Sequence, residues 1–539
     1  MNKKTTIMFL LFFVLISAFL HFYKINQVPP CINADEAAFG YNAYSILKTG
    51  KDEYGAFLPL RFKSFEDYKL PLYTYLSVPF VALFGMNDFS TRALNIIIGI
   101  SFVILIFFIT KELFNNEKIA LLSSFLTSLS PGIYILTRHA HEGVLSAFFI
   151  LLTLLFLVKF IKTNSIFYFL LTNLSLLGSS YSYQNGRVYL FFIILFEVVL
   201  LWKKDLGKSI KKYLGYLTFL GIIGIIAIYP DIRYSLNRVQ NLAFFKSSGF
   251  QLRLTEYLAE HPNRLLHNKF VESVQEISNR YILQLSPEFL IISGDSNRRF
   301  GFPNLGLLTS LEYIFFFIGL YYLFKNKEKF RLLILFILFI SPINNALTWQ
   351  DASLIRTYII LFPILLIIAY GIFHIYLLSS RWRFQKPLLL FLLLTFAFFK
   401  LNAWDLYFYH YPKRAVTVRA WQCGYRELVG YVKQNYDRFD RFYITDRHGQ
   451  PYIFFLYYWP FDPANYQKQV KTSAPDRYGF GQVEKFDKFE FRFAFDPKLK
   501  RSAFIGYPEH FNDANQDIVN KVKKIKFGTE DIFWIYEAD

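Results

Sequence analysis

Residues 91–110 read TRALNIIIGISFVILIFFIT, a run in which Arg92 is the only charged side chain. An apolar helix of ~20 residues is long enough to span the hydrocarbon core of a bilayer. The whole chain shares this character, since 54% of its 539 residues are hydrophobic and 20% are aromatic. A soluble globular protein has an apolar share nearer ~45–50%. The sequence therefore predicts a polytopic α-helical membrane protein.

Apolar runs of this kind predict about eleven transmembrane helices. They cover residues 7–23, 91–110, 119–136, 143–160, 166–183, 188–202, 213–229, 308–324, 332–348, 358–378 and 387–399. The first run is long for a signal peptide and lacks a small-residue cleavage site, so we expect it to remain as a span. Residues 70–84 are also apolar, but this short segment contains Pro71 and Pro79 and is predicted to be a re-entrant or interfacial helix.

The net charge of +19 follows the loops between these spans. One set of alternate loops, at residues 3–4, 111–118, 159–162, 203–212, 325–331 and 381–386, carries two or more Lys or Arg residues in every loop. Cytoplasmic loops carry an excess of Lys and Arg, so the charge reflects topology in the plasma membrane and indicates no nucleic-acid partner. The other loops then face outward: 26–90, 137–142, 182–187, 231–306 and 349–357. We therefore predict a transmembrane domain over residues 1–400 and an extracytoplasmic α/β domain over residues 401–539.

The first outward loop, residues 26–90, carries an acidic pair, Asp35 and Glu36. The pattern of residues 34–47 predicts an amphipathic helix that ends at Gly50 and holds both carboxylates in its first turn. Carboxylates at this position complement the helix dipole. Two together also suit a general base with a supporting partner. Lys69, just before the interfacial helix, is placed either to meet an anionic head group or to contact phospholipid.

Three further outward loops hold unusual polar residues. The second outward loop contains Arg138, His139, His141 and Glu142, which form either an ordinary solvated cluster or a functional one. In the functional case His139, His141 and Glu142 are candidate ligands for a divalent ion. Arg187 and Arg356 each stand at the mouth of a span, where a guanidinium suits phosphate but also serves as an interface anchor. Residues 294–300 precede a span and either cover the site or form a surface loop. Cys31 and Cys423 are both predicted on the outer side, so the sequence allows a disulfide between them but does not require one.

The order of these motifs resembles the membrane-embedded C-type glycosyltransferases, in the group of protein O-mannosyltransferases and aminoarabinose (lipid A) transferases. The residues that carry the resemblance are Asn33–Glu36 with Gly40–Ala43 and Gly50, Asp67–Tyr73, Arg138–Glu142 and Tyr183–Arg187. Together they cover roughly the first 400 residues. Residues 401–539 match no chemistry of the group.

The resemblance implies an inverting enzyme that moves a sugar from a polyprenyl-phosphate carrier to an acceptor hydroxyl at the outer membrane face. Asp35 would be the general base, and Glu36 would support the base or the acceptor. The resemblance makes Lys69, Arg187 and Arg356 candidates to hold the departing phosphate.

The resemblance also makes the second outward loop a polar partner of the reaction. Glu142, His139 and His141 would act there directly or through a divalent metal ion (Mg²⁺, Mn²⁺ or Zn²⁺). Lipid A transferases carry an Asp where this chain offers Glu142 and Gly143, so metal use stays open. The acceptor stays open too: protein, lipid or envelope glycan.

The alternative function is a transporter or flippase for a lipid-linked glycan. Carriers place ionisable residues within their spans near the midplane and are often built from internal repeats. In this sequence the spans are largely free of charge, with Glu197 and Glu312 placed near span ends, and no repeat is evident. The polar residues instead gather in loops on one side, which favours the enzyme.

Overall fold

Helices make up most of residues 3–405, and a mixed β-sheet lies near the C-terminus. The computed structural model describes residues 2–65, 67–205, 210–234, 248–302, 304–348, 350–474 and 483–538. By contacts, the chain divides into two compact units: Met1–Tyr23 with Asn95–Phe408, and Lys24–Leu94 with Tyr409–Asp539. We call them the helical unit and the sheet unit.

In the described part of the chain, six helices are long and apolar enough to cross a membrane. They are Lys3–Phe22, Asp88–Phe114, Glu142–Thr163, Asn185–Trp202, Leu354–Ser379 and Gln385–Lys413. The pair Glu117–Ser128 and Pro131–Thr137, bent by 55°, adds a seventh if it is one span. Pro131 explains the bend, because proline has no amide hydrogen and its ring clashes with the preceding turn. The multi-pass membrane protein predicted from the sequence is confirmed.

The other predicted spans also form helices, but shorter ones. Ile166–Ser182 has 17 residues and Ser310–Lys325 has 16. Within Ile210–Tyr234 the apolar part is Leu214–Tyr229, and residues 332–348 divide into Arg331–Ile340 and Ile343–Ala346. The count of about eleven spans therefore stays a prediction. The large loop contains Ser248–Glu260, Lys269–Leu283 and the π-helix Glu288–Ile292.

The sheet unit contains a short hairpin and a seven-stranded sheet. The strands are β1 Phe62–Ser64, β2 Asp67–Lys69, β3 Arg441–Ile444, β4 Lys471–Thr472, β5 Val483–Phe486, β6 Phe489–Glu490, β7 Ser502–Gly506, β8 Lys523–Phe527 and β9 Glu530–Ala538. The sheet order is β4-β5-β6-β3-β7-β9-β8, and β3 runs parallel to both β6 and β7. The helices of this unit are Ala34–Thr49, Pro71–Phe84, Ala415–Ala420, Tyr425–Gln434, Pro451–Tyr458, Pro463–Gln469 and Gln516–Lys521. A sheet-containing C-terminal region, as predicted, is confirmed.

The first outward loop is part of the sheet unit, not of the helical unit. Ile32, Ala37 and Tyr41 share one buried core with residues of the C-terminal region such as Phe454 and Phe455. A disulfide joins Cys31 to Cys423 across 392 positions of sequence. By contacts, therefore, residues 24–94 group with residues 409–539, whereas the predicted boundary lies at residue 400. The assignment of residues 1–400 to a catalytic domain stays a prediction.

Candidate functional site

The helix that carries the acidic pair, Ala34–Thr49, is fixed at both ends by its own sequence. Asn33 accepts hydrogen bonds from the N–H groups of Asp35 and Glu36, and Glu36 accepts one from the N–H of Asn33. This reciprocal capping box satisfies donors that a helix N-terminus leaves open. Gly50 ends the helix at φ 68°, a left-handed conformation that glycine adopts without strain. The predicted helix is present, and Asp35 and Glu36 lie in its first turn as expected.

Asp35 forms an ion pair with Lys69, with 2.9 Å between Nζ and Oδ1. The Asp35 side chain is 40% exposed, whereas that of Lys69 is only 11% exposed. Pairing of β1 with β2 sets the position of Lys69, which is opposite Phe62 in the register. The ammonium group also lies 4.5 Å from the centre of the Phe39 ring. The two residues singled out from the sequence thus meet, and the carboxylate stays accessible beside a held cation.

Glu36 has a different environment, although it is the next residue. Its carboxylate is bound at both oxygens by Arg92, with Nε to Oε1 at 3.0 Å and Nη2 to Oε2 at 2.9 Å. The side chains of Arg92 and Glu36 are 1% and 0% exposed. Arg92 also donates to the carbonyl oxygen of Cys31, 2.6 Å away, so it ties the loop before the helix to the same point. The geometry gives Glu36 a supporting position rather than an accessible one.

Two further carboxylates, Asp52 and Glu53, lie in the same unit and were assigned no role from the sequence. Glu53 is fully buried, and burial, reinforced by the Asp52 carboxylate, raises its pKa to about 8. Asn42, on the acidic helix, accepts from the N–H of Glu53 at 3.0 Å. Burial also raises the pKa of Asp52, although the hydrogen bonds that its carboxylate accepts from backbone N–H groups act to lower it. Such burial depends on tertiary packing, so no local signal marks these residues.

Arg138 in the helical unit binds the end of the first helix. Its Nη1 donates to the carbonyl oxygens of Leu20 and His21, and its Nη2 donates to that of Tyr23 at 2.8 Å. The last carbonyl groups of a helix have no partner within it, and a buried cation there also complements the helix dipole. Arg138 is fully buried. Arg138 therefore stabilises the C-terminal end of the helix Lys3–Phe22.

His139, His141 and Phe300 form an aromatic cluster in the helical unit. The Phe300 ring lies 5.6 Å from the His139 ring and 5.7 Å from the His141 ring, measured between centroids. His141 also contacts Tyr183 of the third outward loop at 5.4 Å. Phe300 of the segment 294–300 thus packs on the loop of residues 137–142. Whether this segment covers a site or forms a surface loop stays a prediction.

The Nδ1 atoms of the two histidines are engaged by the backbone. Nδ1 of His141 accepts from the N–H of Gly143 at 2.9 Å, and Nδ1 of His139 donates to the carbonyl oxygen of Ile135 at 3.1 Å. Glu142 lies 3.6 Å from Nδ1 of His141. Across the residues that the structure describes, no group of three or more His, Cys, Asp or Glu side chains is arranged to hold a metal. The divalent ion considered from the sequence stays a prediction.

Arg187 and Arg356 are held on segments that contact each other. Asn185, which begins the helix containing Arg187, donates to the carbonyl oxygen of Arg356 at 2.7 Å. Arg187 itself donates to Gln184 at 2.6 Å, and Arg356 donates to Thr348. The two arginines predicted from separate loops are therefore neighbours in the helical unit.

Asp295 adds a buried carboxylate to the segment that carries Arg356. It accepts from the N–H of Leu354 at 2.7 Å. Burial raises its pKa to about 6, and the nearby Arg356 opposes that shift. The sequence analysis named the stretch around Asp295 but did not assign this contact.

The predicted site residues thus fall in two groups. Asp35, Glu36 and Lys69 belong to the sheet unit, whereas the following belong to the helical unit: Arg138, His139, His141, Glu142, Arg187 and Arg356. Arg92 was missed as the partner of Glu36, although it is the one charge in the apolar run 91–110. A lone arginine at the start of a span was the signal that could have found it.

Comparison with known families gives one match. Residues 69–234 match the family model of dolichyl-phosphate-mannose-protein mannosyltransferase. The matched segment includes Lys69, Arg138–Glu142 and Arg187, and it begins after Asp35. The resemblance to membrane-embedded C-type glycosyltransferases drawn from the sequence is confirmed. No curated protein matches the chain closely enough to be counted as a relative.

Solved structures are similar to the chain at low sequence identity. Apo ArnT from Cupriavidus metallidurans has a TM-score of 0.53 at 11% identity, covering 98% of this chain and 97% of its own. ArnT bound to undecaprenyl phosphate has a TM-score of 0.50 at 8% identity over the same shares. Archaeal oligosaccharyltransferase AglB from Archaeoglobus fulgidus, in complex with an inhibitory peptide and a dolichol-phosphate, has a TM-score of 0.47 at 13% identity over 80% of this chain. The chain spans 58% of the length of that AglB structure.

Proposed function

We propose that this chain, whose residues 69–234 match the mannosyltransferase family model, is an inverting glycosyltransferase. It moves a sugar from a polyprenyl-phosphate carrier to an acceptor hydroxyl at the outer face of the plasma membrane. The observation that carries the proposal is the accessible Asp35 carboxylate, fixed on a capped helix and paired with Lys69. The fold supports the proposal, because ArnT shares it and was solved with undecaprenyl phosphate bound.

In the proposed reaction, Asp35 is the general base. Its carboxylate accepts the proton of the acceptor hydroxyl while the hydroxyl oxygen attacks the anomeric carbon from the side opposite the phosphate. The bond between the anomeric carbon and the phosphate oxygen breaks, and the polyprenyl phosphate leaves as an anion. Attack from the opposite side inverts the anomeric centre. A positioned base of this kind contributes roughly 10²–10⁴-fold in rate.

Lys69 holds the base in one orientation. Its ammonium group lies 2.9 Å from Oδ1 of Asp35. Because Lys69 has only an 11% exposed side chain, packed on Phe39, it offers a fixed positive charge. The same charge suits the departing phosphate. Lys69 is therefore assigned to positioning the base and to the donor phosphate.

The other predicted residues take supporting parts in this proposal. Glu36 fixes the helix through Arg92 instead of meeting substrate, because its two oxygens are already bound. Arg187 and Arg356 are assigned to the donor phosphate, since a guanidinium binds phosphate at two points. His139, His141 and Glu142 are assigned to the polar loop that contacts Tyr183, close in sequence to Arg187.

The experiment that tests the base is transfer by the purified full chain from a panel of polyprenyl-phosphate sugars, with Asp35→Asn as the variant. We expect the variant to insert normally, to keep its unfolding temperature and to lose transfer by at least ~100-fold. Asp440→Asn is the matched control, because Asp440 is also exposed and paired with a cation, Arg501. Turnover by Asp35→Asn within a few-fold of the native chain would overturn the assignment.

One observation supports the alternative, a flippase for a lipid-linked glycan. Glu197 is fully buried inside the helix Asn185–Asp205 and lies 3.5 Å from Asn173 of the neighbouring helix. It is thus deeper in its helix than the span-end position read from the sequence. Buried carboxylates in spans often mark a transport path. Movement of a fluorescent polyprenyl-phosphate sugar across vesicles, lost in Glu197→Gln but kept in Asp35→Asn, would favour this reading.

A further inference from the structure

A cleft of about 490 Å³ in the sheet unit is not used by the proposed reaction. We call it the Arg426 cleft. Its walls include Asp88, Arg426, Gly430, Lys433, Tyr457 and Tyr458. The volume is within the ~300–1,000 Å³ of small-molecule sites. The lining combines charged groups with aromatic rings, so the cleft offers both hydrogen-bonding groups and ring faces.

The charges of the cleft are held by neighbouring protein groups. Arg426 is paired with Asp88 and lies 5.3 Å from the centre of the Tyr458 ring, yet its side chain remains 55% exposed. Lys433 donates to the carbonyl oxygen of Tyr458 at 2.9 Å, and partial burial lowers its pKa. Two cations therefore face one carboxylate. The cleft keeps a net positive charge after the Asp88–Arg426 pair is counted.

Tyr457 connects this cleft to the helix that carries Asp35. Its hydroxyl is 2.8 Å from the Thr91 hydroxyl, and Thr91 precedes Arg92, the partner of Glu36. On the other side, a Cβ placed on Gly40 of the acidic helix would lie 2.6 Å from the Tyr457 ring. Only glycine allows this close approach. Tyr457, which is only 2% exposed, thus lies between the wall of the cleft and the acidic helix.

We infer that the Arg426 cleft binds an acidic saccharide. This site goes beyond the proposed reaction, which does not use the cleft. Sugar rings present apolar C–H faces, which suit the partly exposed ring of Tyr458, and hydroxyls, which pair with Asp88. A carboxylate or phosphate on the saccharide meets the positive charge of Lys433.

Two other classes of ligand fit the lining less well. A lipid tail needs an apolar channel, whereas this cleft contains Asp88, Arg426 and Lys433 among its walls. An extended peptide adds to a free strand edge or lies in a hydrophobic groove. Most of this cleft is instead built from helix and loop residues, such as Gly430 of Tyr425–Gln434. Binding of a peptide is an outcome that the experiment distinguishes.

Gly430 offers a variant that fills the cleft without removing any of its charges. A Cβ placed on Gly430 meets no atom within 4 Å. Phenylalanine there would project into open space, and replacing a glycine inside a helix favours the helix. Gly430→Ala is the matched control, since a methyl group leaves most of the volume. Arg419→Gln is the control for charge, because Arg419 is 75% exposed near Glu530 in the same unit.

Binding is measured by calorimetry on the detergent-solubilised full chain without donor. The probes are trigalacturonate, the neutral trisaccharide maltotriose, inorganic phosphate and a hexa-aspartate peptide. We expect trigalacturonate to bind at least ten-fold more tightly than maltotriose. Lys433→Gln should weaken trigalacturonate binding at least ten-fold and Gly430→Phe should abolish it, with Gly430→Ala and Arg419→Gln unchanged.

Four results would overturn the inference: no binding of trigalacturonate, equal binding by Gly430→Phe, stronger binding of the peptide, or binding of phosphate alone as tight as that of trigalacturonate. The measurement needs no turnover, so it is independent of the reaction. Loss of transfer in Asp35→Asn with no saccharide binding supports the proposed enzyme and rejects this saccharide site. Saccharide binding with transfer retained in Asp35→Asn leaves the cleft and removes the base.

Discussion

Glu36 and Arg92 face each other through two hydrogen bonds, 3.0 Å from Nε to Oε1 and 2.9 Å from Nη2 to Oε2. The two side chains are 0% and 1% exposed, whereas the preceding Asp35 is 40% exposed. Two adjacent carboxylates thus have opposite environments. Asp35 is placed to meet a substrate, and Glu36 is placed to hold the helix.

Removing one partner of this pair should destabilise the sheet unit. A buried charge left without its partner costs ~3–5 kcal/mol. We expect Glu36→Ala to lower the unfolding temperature of the purified chain clearly, with a fall in activity that follows the loss of folded protein. Thermal unfolding in detergent, followed by tryptophan fluorescence, measures this. Asp35→Asn is the control and should unfold at the native temperature; a stable but inactive Glu36→Ala would instead place Glu36 in the chemistry.

The disulfide between Cys31 and Cys423 should stabilise the same unit. It joins the loop before the acidic helix to the C-terminal region, and beside it the N–H of Ala34 donates to Gln422 at 3.0 Å. Loss of a native disulfide typically costs ~2–5 kcal/mol. We expect the double variant Cys31→Ser/Cys423→Ser to unfold at a lower temperature.

Alkylation of the denatured chain gives a direct measurement of the bridge. Both cysteines should label only after reductant is added, as read by mass. Equal labelling with and without reductant would reject the disulfide.

Glu53 should make the stability of the sheet unit depend on pH. Burial raises its pKa from 4.5 to about 8, so between these values the folded chain holds a proton that the unfolded chain releases. Stability therefore falls as pH rises through this window, by up to ~1.4 kcal/mol per pH unit, and levels off above it. Unfolding temperatures measured between pH 5 and 9 should show this decline.

Glu53→Gln is the control for that pH dependence. The amide has a similar shape and does not titrate, so the decline attributed to Glu53 should disappear in the variant. A decline of the same size in Glu53→Gln would assign it to other groups, of which Asp52 is the nearest candidate because burial raises its pKa too.

Arg187 and Arg356 should contribute to binding of the carrier lipid. A hydrogen bond to a charged group is worth ~1.5–3 kcal/mol, which corresponds to roughly 10–100-fold in affinity. We expect Arg187→Gln and Arg356→Gln each to weaken binding of undecaprenyl phosphate to this extent in a detergent-based titration. Arg264→Gln, an exposed arginine of the same unit, is the control. Unchanged affinity in both variants would show that these arginines do not bind the carrier and would favour their alternative role as anchors at the membrane interface.

Several features of the fold could be predicted because they depend on local chemistry. The helix Ala34–Thr49 is capped by Asn33 at its start and by Gly50 at its end, close to the bounds predicted from the sequence. The segment with Pro71 and Pro79 forms the short helix Pro71–Phe84. The number of full spans could not be settled in this way, because helices such as Ser310–Lys325 are near the length limit where hydropathy alone does not decide.

The sequence by itself determined the membrane class, the acidic helix and the family resemblance, because each depends on hydrophobic runs, capping residues or ordered motifs along the chain. Only the tertiary structure decided which carboxylate is accessible. Asp35 meets Lys69 and Glu36 meets Arg92 through contacts 34 and 56 residues apart in sequence. Burial and ion pairing depend on segments brought together by folding, and adjacent residues on a helix point in different directions. Chemistry that is local can be read from the sequence, whereas the environment of a charge cannot.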